Sequence, residues 1–397
     1  MEPAVVVSAV RTPIGRFGGQ FRDVRAAALG AVAIKAAIER AGVDPAEVDE
    51  VIFGHVLVNG ESPNVARLAW LEAGLPETVP AYSVDRQCGS GLQAIINAAL
   101  LIQTGNAQVV VAGGAESESQ AEYYTVGARW GARLGDAPFY DRISRQGLTV
   151  SCPEAYPLTP SMMHSSENLV DRYGITREEA DAFALRSQRN AAAAIQAGRF
   201  VDEIVPVPVP QKGGTVLVER DEHPRPETTA EALAKLPVLV GKVHTAGNSS
   251  GINDGAAACV LMSASRARRA GLEPLGTVRA FAAAGVNPTL MGLGPAPAIR
   301  KVLQQTGLRW QDMDLVEINE AFAAQVLAVL RELRVNEIET LNVNGSGISL
   351  GHPLGATGAR ITATMLHELR RRGGRYGLVS MCTGGGQGVA ALFERGT

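Results

Sequence analysis

The chain has 397 residues, a formal net charge of −3 and 46% hydrophobic content, enough for a large buried core spread over two or three domains or subdomains. A near-neutral balance with no basic run argues against nucleic-acid binding as the main task, and no apolar stretch reaches the length needed to span a bilayer. The four cysteines, Cys88, Cys152, Cys259 and Cys382, stand far apart with no C-x-x-C and no nearby histidine pair, which argues against a disulfide framework or a zinc site.

The N-terminal "MEPAVVVSAVRTP" runs directly into a strand pattern. It lacks the basic start and cleavage site of a secretory signal, so the expected location is a reducing cytoplasm in which thiols persist. "AVVVSAV" predicts a strand, "AALGAVAIKAAIERAG" a helix and "VDEVIFGHVL" a second strand. The pattern repeats as "GLQAIINAALLIQTG" followed by "AQVVVAGGAES". Strands alternating with helices of this length predict an α/β fold around a largely parallel, buried sheet. Between them lies "VDRQCGSGLQAI" (84–95), in which Cys88 precedes a glycine-serine-glycine corner and a helix. A small thiol can simply fill a turn. A thiol at a helix N-terminus is also favoured as a thiolate and can act as a nucleophile.

From about Glu118 to Thr245 the rhythm changes to proline-rich loops, "SCPEAYPLTP" and "VPVPVPQKGG", around one clear helix, "TREEADAFALRSQRNAAAAIQAG". Thr176 and Glu179 form a capping box at its start and Gly198 is its stop. The α/β rhythm then returns. "NDGAAACVLMSAS" (253–265) and "GGGQGVAALFERG" (384–396) both pair a glycine turn with a small-residue strand. "DRQCGSGLQAI" and "NGSGISLGHPLGATGARI" are both glycine-rich corners leading into helices. The expected organisation is a duplicated α/β module: an N-terminal core of residues 1–117 plus 249–270, an inserted loop domain of 118–248, and a C-terminal core of 271–397.

Three further places carry polar residues that packing alone does not require. His352 sits inside "NVNGSGISLGHPLGATGAR", where flanking glycines imply a sharply bent backbone approached closely by something; a lone histidine can also just brace such a turn. Cys382 follows the strand "YGLVSM" and precedes Gly384, Gly385 and Gly386, whose N–H groups can form an anion-binding concavity. Asn319 and Glu320 in "VEINEAFAAQ" fall at a strand-to-helix junction, where asparagine is ordinarily a cap.

Taken together, the stretches "RTPIGRFGG", "DRQCGSGLQA", "AGGAES", "TAGNSSGINDGAA", "NEAFAAQ", "NVNGSGISLGHPLGATGAR" and "CTGGGQGVAALFE" resemble, in order and spacing, the thiolases: acetyl-CoA acetyltransferases and 3-ketoacyl-CoA thiolases. The resemblance covers essentially the whole length. It implies a duplicated α/β module layered α-β-α-β-α and a two-step acyl transfer through a covalent thioester. The direction is thiolysis of 3-ketoacyl-CoA, condensation of two acetyl-CoA to acetoacetyl-CoA, or both.

By resemblance, Cys88 is the nucleophile, His352 takes its proton, and Cys382 is the acid/base that moves a proton at C2 of acetyl-CoA. A thiolate–imidazolium pair, with the helix dipole and cationic ring lowering the thiol pKa, is expected. Asn319 holds a water that faces the enolate oxygen together with His352, and the backbone N–H groups of Cys88 and Gly384 face the acyl-enzyme oxygen. The insertion binds CoA, with Arg225 and Ser250 as contacts, and Met162, Met291 and Phe322 line the acyl pocket. CoA and acetyl-CoA enter as substrates, with no permanently bound cofactor and no metal. The implied partners are acyl-CoA, CoA and further copies of the chain, as a dimer or a dimer of dimers such as a homotetramer, with roles in fatty acid metabolism and β-oxidation.

Three departures from acetoacetyl-CoA-forming members bear on substrate. Ser161 stands where a histidine commonly precedes the methionine, with a histidine at 164 instead; Ala232 replaces a CoA-contacting serine; and "AGGAESES" replaces the usual "ESMS". They leave room for longer 3-ketoacyl-CoA substrates. A nicotinamide dehydrogenase fits poorly: "GSGISLG" misses the dinucleotide spacing by one residue and no strand-terminal acid follows. A ketoacyl synthase pairs its cysteine with two histidines, whereas this chain supplies one histidine and a second cysteine. A thiolase-like carrier that binds acyl-CoA without turnover is disfavoured by the intact set Cys88, Asn319, His352 and Cys382.

Overall fold

The computed structural model describes residues 2–148 and 161–396; Cys152 and the stretch 151–160 lie outside the described residues. The first half contributes strands β1 (Ala4–Arg11), β2 (Gly15–Arg16), β3 (Glu50–Gly54), β4 (Ala81–Val84) and β5 (Val109–Ser117). Between them run helices α1 (Ala26–Ala41), α2 (Val65–Glu72) and α3 (Ser90–Gln103). The following segment contains two hairpins, β6 (Tyr123–Tyr124) with β7 (Tyr140–Asp141) and β8 (Val207–Gln211) with β9 (Gly214–Val218). Its helices are α4 (Arg142–Leu148), α5 (Met162–Tyr173), α6 (Arg177–Gln196) and α7 (Ala230–Ala234). Strand β10 (Asn253–Ser263) and helix α8 (Ala264–Arg269) return to the core. The second half has β11 (Gly276–Gly285), α9 (Pro295–Thr306), β12 (Leu315–Ile318) and α10 (Ala323–Leu333). It ends with α11 (Gly347–Leu350), α12 (Leu354–Arg372), β13 (Tyr376–Thr383) and β14 (Gln387–Glu394).

The strands form one sheet in the order β12-β13-β14-β11-β1-β10-β5-β3-β4, with β2 paired to β10. The two halves meet where β1 and β11 pair over only Val5↔Thr277 and Val6↔Gly276. Pairing is parallel between β3 and β4, β3 and β5, and β12 and β13. It is antiparallel between β1 and β10, β10 and β5, β11 and β14, and β13 and β14. The expected largely parallel sheet is therefore corrected to a mixed one. Each half ends in a strand, β10 or β14, that runs back through the middle of its own sheet, and β13 and β14 are joined by a short glycine turn that only an antiparallel pair allows.

The period-two alternation of the strands sorts side chains into layers. Val109, Val111 and Ala115 of β5 pack with α1 and α2 on one face. Val110 and Ala112 pack on the other face with α3 and α12. The far face of the second half carries α9, α10 and parts of α5 and α6. The result is the anticipated α-β-α-β-α stack, with α3 and α12 as the middle layer. Those two helices touch through backbone: a Cβ at Gly91 would sit 2.8 Å from the Gly355 carbonyl, and one at Gly358 would overlap the Leu92 nitrogen. This close approach accounts for glycine at both places, and it brings the N-terminal ends of α3 and α12 together. In α6 the capping box of Thr176 and Glu179 is present, and Gly198 adopts φ +67 just past its end.

Candidate active site

Cys88 lies on the turn between β4 and α3. The preceding residue, Gln87, has φ +48, a conformation uncommon outside glycine. Ser90 holds it there: its hydroxyl donates to the Gln87 carbonyl (2.6 Å) and accepts from the Arg86 N–H (2.8 Å), while the Asp85 carboxylate accepts the Gln87 N–H (2.6 Å). The turn puts the thiol at the start of α3, whose N-cap, Gly89, has no capping side chain. From the other half of the molecule, the backbone N–H of Gly384 comes near enough to the Cys88 sulfur to favour its thiolate form. A Cβ on Gly384 would lie 3.1 Å from the Gln87 side chain and 3.2 Å from Met162 Cε, so this turn, the Cys88 turn and the start of α5 converge.

Cys382 is buried near the end of β13, opposite Gly388 of β14, and stands close enough to Cys88 for that thiol to oppose its ionisation. The neighbouring strand β12 ends at Ile318, and the Asn319 N–H donates to the Ser380 carbonyl (3.0 Å), which sets Asn319 beside the Cys382 strand. Asn319 is no helix cap. The N-cap of α10 is Phe322, and the Asn319 amide nitrogen instead lies 3.4 Å from both ring nitrogens of His352. Its Oδ1 is buried with no protein partner among the described residues.

His352 follows Gly351, whose φ of +96 turns the chain into α12. Its N–H donates to Asn253 Oδ1 (2.9 Å) and its Nδ1 is 2.7 Å from the Thr357 hydroxyl. The Asn253 N–H in turn donates to the Glu118 carboxyl (3.3 Å), which acts on Cys88 through space. Contacts thus link Cys88 with Gly384 and Cys382, and Asn319 both with the Cys382 strand and with His352.

The charge states differ from expectation. Burial pushes the Cys88 thiol up to about 12, with the Glu118 and Asp85 carboxyls adding to the rise and the Gly384 N–H opposing it. Burial and the Arg360 guanidinium bring His352 down to about 3. Burial, with Cys88 behind it, also raises Cys382. Both shifts favour a neutral thiol and a neutral imidazole in the free enzyme, opposite in direction to the expected thiolate–imidazolium pair, because desolvation penalises the charged forms.

Met291, Ala321, Phe322 and Cys382 form one apolar cluster, with Met162 and Met163 packed against it. His244 braces Phe322 edge-on at 5.3 Å and is itself fixed by Glu167 (2.7 Å) and Ser166 (2.8 Å). The Ser250 N–H donates to the Ala321 carbonyl (2.9 Å), placing it against this cluster. Arg225 lies on an exposed loop, with its N–H held by Gln188 Oε1 at 2.9 Å. Two residues earlier, His223 contacts Asn253 at 3.2 Å, so that loop is tied to the His352 corner. Ser161 caps α5 and meets His164 Nδ1 at 2.8 Å. Among the described residues no cluster of three or more His, Cys, Asp or Glu could hold a metal ion. Residues not singled out in the sequence, Glu118, Asn253, Thr357 and Met163, stand inside or beside quoted motifs. Only their neighbours in space, and no periodicity, mark them out.

Comparison with known proteins gives two family models. The thiolase N-terminal domain matches residues 4–265 and the thiolase C-terminal domain matches residues 272–395. The chain is 50% identical over 398 residues to an acetyl-CoA acetyltransferase of Escherichia coli, covering 100% of both chains. Its fold matches the crystal structure of the Bacillus anthracis acetyl-CoA acetyltransferase with a TM-score of 0.95 at 48% identity, covering 99% of each chain. It matches human mitochondrial 3-ketoacyl-CoA thiolase with a TM-score of 0.94 at 42% identity, covering 100% of this chain and 99% of that one.

Proposed function

The chain belongs to the thiolase family, and from that membership we propose that it transfers acyl groups between acyl-CoA and CoA through a thioester on Cys88, as an acetyl-CoA C-acyltransferase. The observation that supports this most is the approach of two thiols, half-buried Cys88 and buried Cys382, one from each half of the molecule, with the Gly384 backbone beside the Cys88 sulfur.

In thiolysis, Cys88 Sγ attacks the keto carbon of a 3-ketoacyl-CoA and gives its proton to His352. The bond between C2 and C3 breaks, and the electron pair left on C2 takes the Cys382 proton, releasing acetyl-CoA. The raised pKa of Cys382 leaves it protonated at the outset, the state this step requires. CoA thiol then returns a proton to Cys382. Its sulfur attacks the acyl group, and Cys88 leaves and recovers its proton from His352. Condensation is the same path reversed, with Cys382 taking the C2 proton of acetyl-CoA.

Charge on the acyl oxygen is met by the N–H groups of Cys88 and Gly384. Charge on the enolate oxygen is met by His352 and a water on Asn319. The buried, unpartnered Asn319 Oδ1 and its contact with His352 support that assignment. Arg225 and Ser250 serve CoA, and Met162, Met291 and Phe322 bound the acyl group. CoA and acetyl-CoA are substrates, with no permanent cofactor. The second acid/base position is held by a cysteine, which separates this site from a ketoacyl synthase.

The same proposal includes the division into 1–117 plus 249–270, 118–248 and 271–397, a role in β-oxidation and a cytoplasmic location. No helix among the described residues is long and apolar enough to cross a membrane. Homo-oligomer formation, as a dimer or tetramer, is supported by the edge strand β4, with Tyr82 exposed, and by the apolar side chains Tyr123, Val126, Trp130, Leu134 and Phe139 exposed around the β6–β7 hairpin.

The test is steady-state thiolysis with CoA across 3-ketoacyl-CoA substrates of increasing chain length, beside acetyl-CoA condensation. Turnover of at least one substrate in the series is expected; no turnover of any of them by folded enzyme would overturn the proposal.

A further inference from the structure

His352 as proton acceptor requires a bare ring nitrogen facing the reacting atoms, and a neutral imidazole offers one nitrogen with a proton and one without. The residue that touches the ring from behind is Thr357, fully buried in the first turn of α12, with its hydroxyl 2.7 Å from Nδ1. A hydroxyl has a single proton to donate and lone pairs with which to accept. Here the Pro353 carbonyl, 3.0 Å from Oγ1, receives that proton. The oxygen lone pair is then left for an Nδ1–H.

The Asn319 amide nitrogen stands 3.4 Å from both Nδ1 and Nε2, so it holds the ring without selecting a nitrogen. The backbone is held at the same corner, with the His352 N–H on Asn253 Oδ1 (2.9 Å) and Arg360 donating to the Gly351 carbonyl (3.0 Å). The ring is thus fixed in place by several groups, but its proton is placed by one.

We propose that Thr357 is a positioning residue that fixes the tautomer of His352, accepting the Nδ1–H so that Nε2 carries the lone pair that receives the Cys88 proton. This rests on the acyl-transfer reading above. When Nε2 takes the proton, the bonds from Nδ1 to Thr357 and from Thr357 to Pro353 stay as they were. The resulting Nε2–H can face an enolate oxygen without any rearrangement of the ring.

The test is nitrogen NMR of full-length enzyme labelled at histidine, with His352→Gln to assign the ring, and with Thr357→Val and Thr357→Ser compared. At neutral pH the wild type is expected to show a protonated Nδ1 and a bare Nε2. Thr357→Val should lose that single-tautomer signature and lower kcat for thiolysis roughly tenfold or more with KM little changed, while Thr357→Ser restores both. A wild-type ring protonated at Nε2 overturns the proposal, as does a Thr357→Val enzyme with unchanged ring signals and rate. If Thr357→Val does not fold, the wild-type spectrum alone decides. The spectrum needs no turnover, so an enzyme that never acylates Cys88 would refute the acyl-transfer reading while the tautomer is still read independently.

Discussion

The side chain of Asn319 stands 3.4 Å from both ring nitrogens of His352, although one residue follows strand β12 and the other lies between helices α11 and α12, 33 positions apart. The contact joins the end of β12 to the corner before α12 and leaves Asn319 Oδ1 buried without a protein partner. A buried polar atom so placed is costly unless something transient uses it. Replacing Asn319 with alanine should therefore lower condensation roughly 10²–10³-fold, the size of a lost oxyanion donor, while Cys88 still acylates. Separate measurement of acyl-enzyme formation and of acetoacetyl-CoA formation checks this. Equal losses in both steps would place Asn319 elsewhere in the mechanism.

Cys382→Ser puts a hydroxyl in place of the thiol and raises the acid/base pKa well beyond that of a thiol. Acyl-enzyme formation from acetyl-CoA, in which Cys382 only protonates the departing CoA thiolate, should fall far less than condensation, which should drop by roughly 10²–10⁴, the usual worth of a positioned acid/base. Comparing the two half-reactions in one preparation reads the difference. A variant crippled equally in both would remove the division of labour between the two cysteines.

The raised Cys88 thiol and the lowered His352 imidazole give a definite pH signature. A group whose folded pKa is raised to about 12 gains thiolate continuously as pH climbs toward that value. Alkylation of Cys88 in the free enzyme, followed with Cys382→Ser to isolate it, should accordingly rise with pH across about 6 to 9 without levelling. A preformed thiolate–imidazolium pair would instead give a flat rate over the same range.

Two glycines separate stability from catalysis. A Cβ at Gly358 would overlap the Leu92 backbone, which cannot move without parting α3 from α12. Gly358→Ala should destabilise the protein by about 2 kcal/mol or more. A Cβ at Gly384 meets only the Gln87 and Met162 side chains at 3.1–3.2 Å. Gly384→Ala should leave the denaturation midpoint nearly unchanged but slow acylation of Cys88 roughly tenfold or more, since the added methyl would displace the N–H assigned to the acyl oxygen. Denaturant titrations beside single-turnover rates distinguish the two.

Much of this was legible in the residues. The capping box of Thr176 and Glu179, the thiol before the Gly89-Ser90-Gly91 corner, and the repeat of turn-plus-strand in β10 and β14 are local patterns, and they stand where the sequence puts them. Strand direction was not legible, because alternation of strand and helix is silent about β10 and β14 turning back into the sheet. Charge states escaped for a related reason. Cys88 sits at a helix N-terminus, as its sequence implies, but the desolvation that raises its thiol pKa comes from tertiary burial, which no local pattern records. Asn319 looked like a cap by position, and only the placement of Phe322 as the N-cap frees it for His352. Thr357 and Asn253 act through contacts to one imidazole that no spacing rule encodes.

The claim that a single sulfur carries the acyl group is tested most directly by mapping it. Folded enzyme is incubated with acetyl-CoA, quenched in acid and digested, and the peptide spanning residues 84–95 is weighed. The account predicts one acetyl group on Cys88, removed by added CoA and absent from Cys88→Ala. An acetyl group on Cys382 instead, or one that persists in Cys88→Ala, would contradict it.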